Sequence, residues 1–274
     1  MTLEVTVRQA LAQCGLVPID AQVLLAHAVE RGRAWLAAHG GDALTREQAD
    51  RFAALAKRRR NGEPVAYLTG VREFWGLALH VTPAVLIPRP ETETLVELAL
   101  EWLPADRPLR VLDLGTGSGA IALALASERP LARIFATDCS TDALAVAAAN
   151  ALRLALTNVE FIAANWYDGV PAPGFDMIVG NPPYVAMGDA HLTEGDLRFE
   201  PAAALASGVD GLAALRGIVA GASARLVPGG ALLVEHGFNQ SDAVADLLRE
   251  AGFGGILARR DLAGIARVAA GKRA

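Results

Sequence analysis

The chain carries two hydrophobic rhythms. Up to about residue 80 the apolar residues recur every three or four positions, the period of a helix with one buried face. "DAQVLLAHAVE" fits that period from Asp20, which reads as a cap, and "TREQADRFAALAKRRRNG" fits it from Thr45. The second stretch has Glu47 and Gln48 in its first turn, cations in its last, and Asn61-Gly62 just beyond. That is helix start and stop chemistry at both ends. The run Lys57 to Arg60 reads as cations favoured at a helix C-terminus and is given no further role.

From about residue 109 strands alternate with helices. "LRVLDLG", "ARIFATD", "NVEFIAA", "FDMIVG" and "GALLVEHG" are short apolar strands, and "AIALALASE" and "STDALAVAAANALRLAL" are helices between them. Alternation of this kind predicts a parallel sheet covered on both faces. "GILARRDLAGIARVAAG" instead predicts two antiparallel strands joined by a turn at Ala263-Gly264. Between the two textures, "YLTGVREFWGLALHVTPAVLIPRPETE" predicts a small hairpin leading into a helix, with Pro90, Glu91 and Glu93 suited to its first turn. The expected division is a helical domain over 1–80, a hairpin and lead-in helix over 81–108, and a sheet domain over 109–274.

The totals narrow the class. At 274 residues and 53% hydrophobic the chain can build a sizeable core, and no stretch of about 18 apolar residues predicts a membrane span. "MTLEVTVRQALAQCG" lacks the basic start and apolar run of a signal peptide, and Cys14 and Cys139 do not make a disulfide framework, so a reducing cytoplasm is expected. A net charge of −5 argues against a broad nucleic-acid surface.

Candidate chemistry gathers at the strand ends. "DLGTGSGA" places Gly115, Gly117 and Gly119 between a strand and its helix, where the backbone can turn tightly and approach a ligand. Alone, this loop also fits a dinucleotide fingerprint. Asp138 ends the second strand, where a carboxylate can accept both ribose hydroxyls, while Ser140 or Thr141 serves better as the cap of the next helix. Trp166 follows the third strand, and either covers an adenine face or closes the rim of the core.

"GNPPYV" ends the fourth strand. Two prolines stiffen the loop, and a tyrosine stands beside an amide. The Asn181 side-chain oxygen and the Pro182 carbonyl can each accept one hydrogen of a planar NH₂ group, with Tyr184 stacked on its plane. Such a nitrogen gains positive charge as it attacks a methyl sulfonium, so both hydrogen bonds strengthen in the transition state. The five histidines are scattered and predict no metal site.

"DLGTGSG" with "NPPY" resembles the class I S-adenosylmethionine-dependent methyltransferases that modify exocyclic or side-chain nitrogens. With "EPVAYLTG", "EFWGLALHV", "LIPRPETE", "FEPAAALASGVDGL" and "DLAGIARV", the chain resembles the release factor glutamine methyltransferases, often called the PrmC or HemK family, over nearly its whole length. The resemblance implies a seven-stranded, mostly parallel, Rossmann-like sheet with a small N-terminal helical domain for substrate recognition. It implies N5-methylation of the glutamine in the Gly-Gly-Gln motif of class 1 peptide-chain release factors, using S-adenosyl-L-methionine and no metal. By the same carry-over, Gly115, Thr116, Gly117, Ser118 and Gly119 cradle the methionine part of the cofactor, Asp138 holds its ribose and Trp166 flanks its adenine. Asn181, Pro182, Pro183 and Tyr184 hold the glutamine, and Asn181 borders the cofactor as well. Ser118 stands where threonine is common in the family. The segment "RFEPAAAL" shapes the substrate mouth or simply starts a helix.

Other classes remain open on the motifs alone. An adenine-N6 methyltransferase would use the same loop on a flipped base, and a ribosomal-protein glutamine methyltransferase shares it, although the segment matching "PRPETE" usually differs there. A dehydrogenase would use the glycine loop but leaves the double proline unexplained. A non-catalytic cofactor-binding adaptor would not need the intact loop.

Overall fold

The computed structural model describes residues 5–170 and 173–274. They fall into two compact units, one of residues up to 71 joined by Gly195–Phe199, the other of residues 72–194 and 200–274.

The first unit is helical: α1 (Val7–Gln13), α2 (Pro18–Val29), α3 (Arg33–Ala38), α4 (Arg46–Arg60) and α5 (Val65–Thr69). Leu24, Leu25, Leu36, Phe52 and Leu68 meet in its core. Thr45 caps α4 reciprocally with Gln48, as its sequence predicts. Asp20 does not cap α2. That helix starts two residues earlier at Pro18, whose fixed φ suits the first turn and whose missing N–H is lost on nothing there. Asp20 instead accepts from Arg59 Nε at 2.7 Å, and Arg59 Nη1 reaches Asp196 at 2.7 Å. Arg58 pairs with Glu63, and Arg60 donates to the Cys14 carbonyl at 2.6 Å. The arginines that end α4 thus knit this unit internally.

The second unit begins with the hairpin β1 (Val71–Phe74) and β2 (Leu77–His80). Its Phe74 and Leu79 are buried with the sheet unit, which places the boundary between units near residue 71 where the sequence suggested 80. A 3₁₀ turn (Pro90–Thr92) leads into α6 (Glu93–Trp102). Then come β3 (Arg110–Leu114), α7 (Ala120–Glu128), β4 (Arg133–Asp138), α8 (Thr141–Arg153), β5 (Val159–Ala163) and β6 (Phe175–Gly180). The chain finishes with α9 (Ala213–Ala222), β7 (Leu226–Glu235), α10 (Ser241–Glu250), β8 (Phe253–Arg260) and β9 (Ala266–Arg273).

The seven strands lie in the order β5-β4-β3-β6-β7-β9-β8. Five run parallel, and β9 runs antiparallel to both β7 and β8. Alternate residues of each central strand feed two cores: Val111, Ile134 and Val179 enter one with α6 and α7, and Leu112, Phe135 and Ile178 enter the other with α9 and α10. The order reverses between β3 and β6, so the loops after these two strands open side by side at their carboxyl ends, where open α/β sheets bind ligands. Among the described residues no helix is long and apolar enough to cross a membrane.

Candidate active site

The glycine loop follows β3. Gly115 and Thr116 donate their amides to the Thr137 carbonyl on β4, at 2.9 and 2.8 Å, which folds the loop over the strand ends. Gly117 has a φ of +55°, and a Cβ there would meet nothing within 4 Å, so its backbone borders open space. Gly119 is needed for another reason. Its φ is +86° and a Cβ on it would fall 3.3 Å from Ala147 Cβ of α8 and 2.9 Å from Leu123 Cδ1, so this glycine serves the start and packing of α7 and lines neither cavity described below.

Asp138 closes the other wall. One carboxylate oxygen accepts from Gly117 N and the other from Ser140 N, both at 2.9 Å. Ser140 caps α8 through Ala143 N, as its sequence predicts. Asp138 therefore both fixes the glycine loop and presents a half-buried carboxylate.

Between these walls lies a cavity of about 200 Å³, lined by Leu86, Gly115, Gly117, Asp138, Asn181 and Pro201 among others. A second, of about 50 Å³, shares Leu86, Gly115, Gly117 and Asn181 with it and adds Thr92, Thr116 and Ser118. Trp166 lines neither. Its ring packs on the core and comes within 3.7 Å of a Cβ built on Gly115. Its φ of +53° is unusual for so bulky a residue and marks a position held against local preference.

Asn181 follows β6 and lines both cavities, and Pro183 lines the larger. Asn181 Nδ2 donates to Thr92 Oγ1 at 3.1 Å, which leaves Oδ1 as the end of the amide free to accept. Pro182 is buried. Tyr184 lines neither cavity. Its ring packs on the core, its Oη donates to Glu235 Oε1 at 3.1 Å, and its carbonyl accepts from Gln240 Nε2 at 3.0 Å. The loop is therefore gripped at Asn181 and at both ends of Tyr184. Gly211 completes the grip, because a Cβ there would lie 2.8 Å from Gln240 Nε2 and closer still to the Tyr184 carbonyl.

Several of these anchors were not singled out in the sequence. Thr92 and Glu235 stand behind the loop, 4% and 1% exposed. Burial pushes the Glu235 carboxyl up to about 7, and the nearby Thr92 and Tyr184 hydroxyls and Arg267 pull it back. Desolvation, with the Glu235 charge beside it, raises the Tyr184 phenol, so Tyr184 is a donor at any working pH. Asp113, under the glycine loop, accepts from Thr116 Oγ1 at 2.7 Å and is likewise raised to about 7 by burial. Glu200 accepts from Ile87 N at 3.2 Å and from Arg89 Nη2 at 2.5 Å, so the part of "RFEPAAAL" from Glu200 on is tied to the segment before α6 at the cavity wall. Asn150 joins Ser118 O to both the carbonyl and the amide of His80, tying the glycine loop to β2. The available signals were a carboxylate ending the apolar strand "ALLVE" and the repeated acids of "PRPETE". Among the described residues no group of three or more His, Cys, Asp or Glu could hold a metal ion.

Known proteins resemble this chain in sequence and fold. Residues 5–70 match the family model of the PrmC N-terminal domain, and residues 92–208 that of the methyltransferase small domain. The release factor glutamine methyltransferase of Bordetella pertussis is 52% identical over 265 residues, covering 96% of this chain and 98% of that one. The enzyme of the same name from Escherichia coli K12 is 49% identical over 253 residues, 92% of this chain and 91% of that one. A solved structure with the same fold is the Thermus thermophilus 16S rRNA N2 G1207 methyltransferase in complex with AdoMet and guanosine. It has a TM-score of 0.57 and 22% identity, and the match covers 74% of this chain and 50% of that one.

Proposed function

The chain belongs to the release factor glutamine methyltransferase family, and from that membership and the geometry of its strand-end site we propose that it methylates the side-chain nitrogen of the glutamine in the Gly-Gly-Gln motif of class 1 peptide-chain release factors. The methyl donor is S-adenosyl-L-methionine, and the cytoplasm is where such substrates meet it. The observation that carries the assignment is the Asn181 amide, fixed by Thr92 with its oxygen free and lining the same cavities as Gly115 and Gly117.

The site fits such a cofactor. Gly117 backs onto space that a side chain would fill, and Asp138 offers a carboxylate at the wall for two ribose hydroxyls. Thr116 and Ser118 complete the loop beside the methionine part, and Trp166 is assigned to the adenine edge. The bound sulfonium supplies an electrophilic methyl carbon.

The protein's part is to make a poor nucleophile attack. An amide nitrogen shares its lone pair with its carbonyl, and it regains nucleophilicity only as positive charge builds on NH₂. Asn181 Oδ1 and the Pro182 carbonyl are assigned to its two hydrogens, and both contacts strengthen as that charge develops. Because the loop is stiffened by two prolines and held by Thr92, Glu235 and Gln240, little reorganisation remains at the moment of reaction. Pro183 lines the slot beside the amide, while the Tyr184 ring, packed on the core, anchors the loop from behind rather than stacking on the amide plane. The nitrogen then gives its extra proton to solvent, and S-adenosyl-L-homocysteine, the neutral thioether, is the other product.

Substrate class follows from charge and from the helical unit. A net charge of −5 does not favour a phosphate backbone, and the N-terminal helices supply recognition surface that a single amide cannot. The test is methyl-labelled cofactor offered with a folded release factor, with ribosomal protein and with RNA. Label on the release factor alone is expected, and label on RNA alone would overturn the assignment.

A further inference from the structure

We propose that Asn150 is a positioning residue that holds the glycine loop and the segment after β2 at the spacing the cofactor needs. The inference rests on the reading of the strand-end cavity as the S-adenosyl-L-methionine site.

Asn150 lies on α8 and is fully buried. Its amide makes three short bonds, all to backbone. Nδ2 donates to the carbonyls of His80 and Ser118, both at 2.9 Å, and Oδ1 accepts from His80 N at 2.7 Å. Backbone carbonyls only accept and a backbone N–H only donates, so the amide fits one way round. Its neighbours on the same helix face follow the same course. Ala143 lines the larger cavity, and Ala147 Cβ stands 3.3 Å from a Cβ built on Gly119. This face of α8 therefore backs the glycine loop, with Asn150 as its polar contact.

The two partners lead into different walls of the site. Ser118 lines the smaller cavity and belongs to the loop whose Gly115 and Gly117 line both. His80 ends β2, and the chain running on from it supplies Ala84, Val85 and Leu86 to the larger cavity. The front of the glycine loop is held by the Thr137 carbonyl and the Asp138 carboxylate, and its far end, at Ser118, by Asn150. The β1–β2 hairpin forms a two-stranded sheet of its own, so no strand ladder fixes it against β3. Asn150 supplies the link that a ladder would otherwise make. An apolar residue there would leave three backbone groups buried without partners and the two walls free to part.

Asn158 provides the control. Its Nδ2 also donates to three backbone carbonyls, those of Ala126, Arg129 and Ala132 at 3.2, 3.3 and 3.1 Å, but it lines neither cavity and touches neither wall. Asn150→Ala should weaken S-adenosyl-L-methionine binding by calorimetry about 10- to 30-fold, the scale of one or two lost hydrogen bonds. Its methyl-transfer rate at saturating cofactor should stay within about threefold of the parent, since Asn181 and its anchors are untouched. Asn158→Ala should melt below the parent yet bind the cofactor within about twofold of it. In the parent protein, the cofactor should also slow amide exchange at His80, which lines neither cavity and whose N–H rests on Asn150. That measurement decides if Asn150→Ala does not fold. Asn150→Ala within threefold of the parent affinity, an equal loss in Asn158→Ala, or exchange at His80 unmoved by cofactor overturns the inference. A parent protein that binds no S-adenosyl-L-methionine refutes the reading of the cavity instead, whereas a parent that binds it with Asn150→Ala unchanged refutes only the positioning role.

Discussion

Gly211 offers a way to disturb the reacting loop without touching any polar group. Its φ is +75°, so alanine there carries the left-handed penalty of about 1–2 kcal/mol. The added Cβ would also stand 2.8 Å from Gln240 Nε2 and nearer to the Tyr184 carbonyl, whereas ordinary carbon–oxygen contact begins at about 3.3 Å. Tyr184 must then retreat by most of an ångström, breaking its 3.0 Å bond from Gln240 and pulling on the Asn-Pro-Pro-Tyr loop. A displacement of that size in a positioning element costs about 10²-fold in rate. Gly252 is the control, because its φ is +80° and nothing lies within 4 Å of its built Cβ. Gly252→Ala should therefore lose only the left-handed penalty in thermal unfolding, Gly211→Ala more than that, and only Gly211→Ala should lose single-turnover transfer. Equal rates for the two variants would refute the account of how the loop is held.

Further expectations follow from the other walls of the site. Asp138→Ala should weaken cofactor binding about 10- to 100-fold by calorimetry, the worth of one or two hydrogen bonds to a charged group, with kcat at saturation changed only a few-fold. A larger loss in kcat than in affinity would move Asp138 from binding to chemistry. Asp113 and Glu235 are both raised to about 7, so the folded state holds their protons more tightly than the unfolded chain. Stability should thus fall as pH rises from 6 to 8, by about 1.4 kcal/mol for each group, and Asp113→Asn should flatten the slope. His236, lowered by burial, acts in the opposite sense as pH falls through its unfolded value of 6.5, which weakens the slope below that point. Thermal midpoints that rise from pH 6 to pH 8 would contradict this.

Much of the architecture is legible because its signals are local. Strand and helix periods alternate from residue 109, Ser140 and Thr45 cap as their types dictate, and the asparagine after β6 declares itself by two prolines. The misplaced cap at Asp20 is local too: Pro18 was visible as a helix start, and Asp20 has its own use with Arg59. Helix α9 hides for a physical reason. Its N-cap, Leu212, makes no side-chain bond, so nothing at its start announces a helix. What the sequence cannot display is pairing across long separations. Thr92 meets Asn181 over 89 positions and Tyr184 meets Glu235 over 51, so the residues that aim the loop look like ordinary helix-start and strand-end residues until the chain folds.

Asn181 carries the central claim, and it can be tested at the level of the modified atom. The folded protein and its Asn181→Ala variant are each incubated with a class 1 release factor and methyl-labelled S-adenosyl-L-methionine, and the Gly-Gly-Gln peptide is fragmented by mass spectrometry. The account predicts one methyl group on the glutamine side-chain nitrogen with the parent protein. It predicts about 10²–10³-fold slower transfer with the variant at saturating cofactor, the scale of a lost transition-state hydrogen bond. Methyl on another residue, or an Asn181→Ala variant that modifies the glutamine at the parent rate, would contradict it.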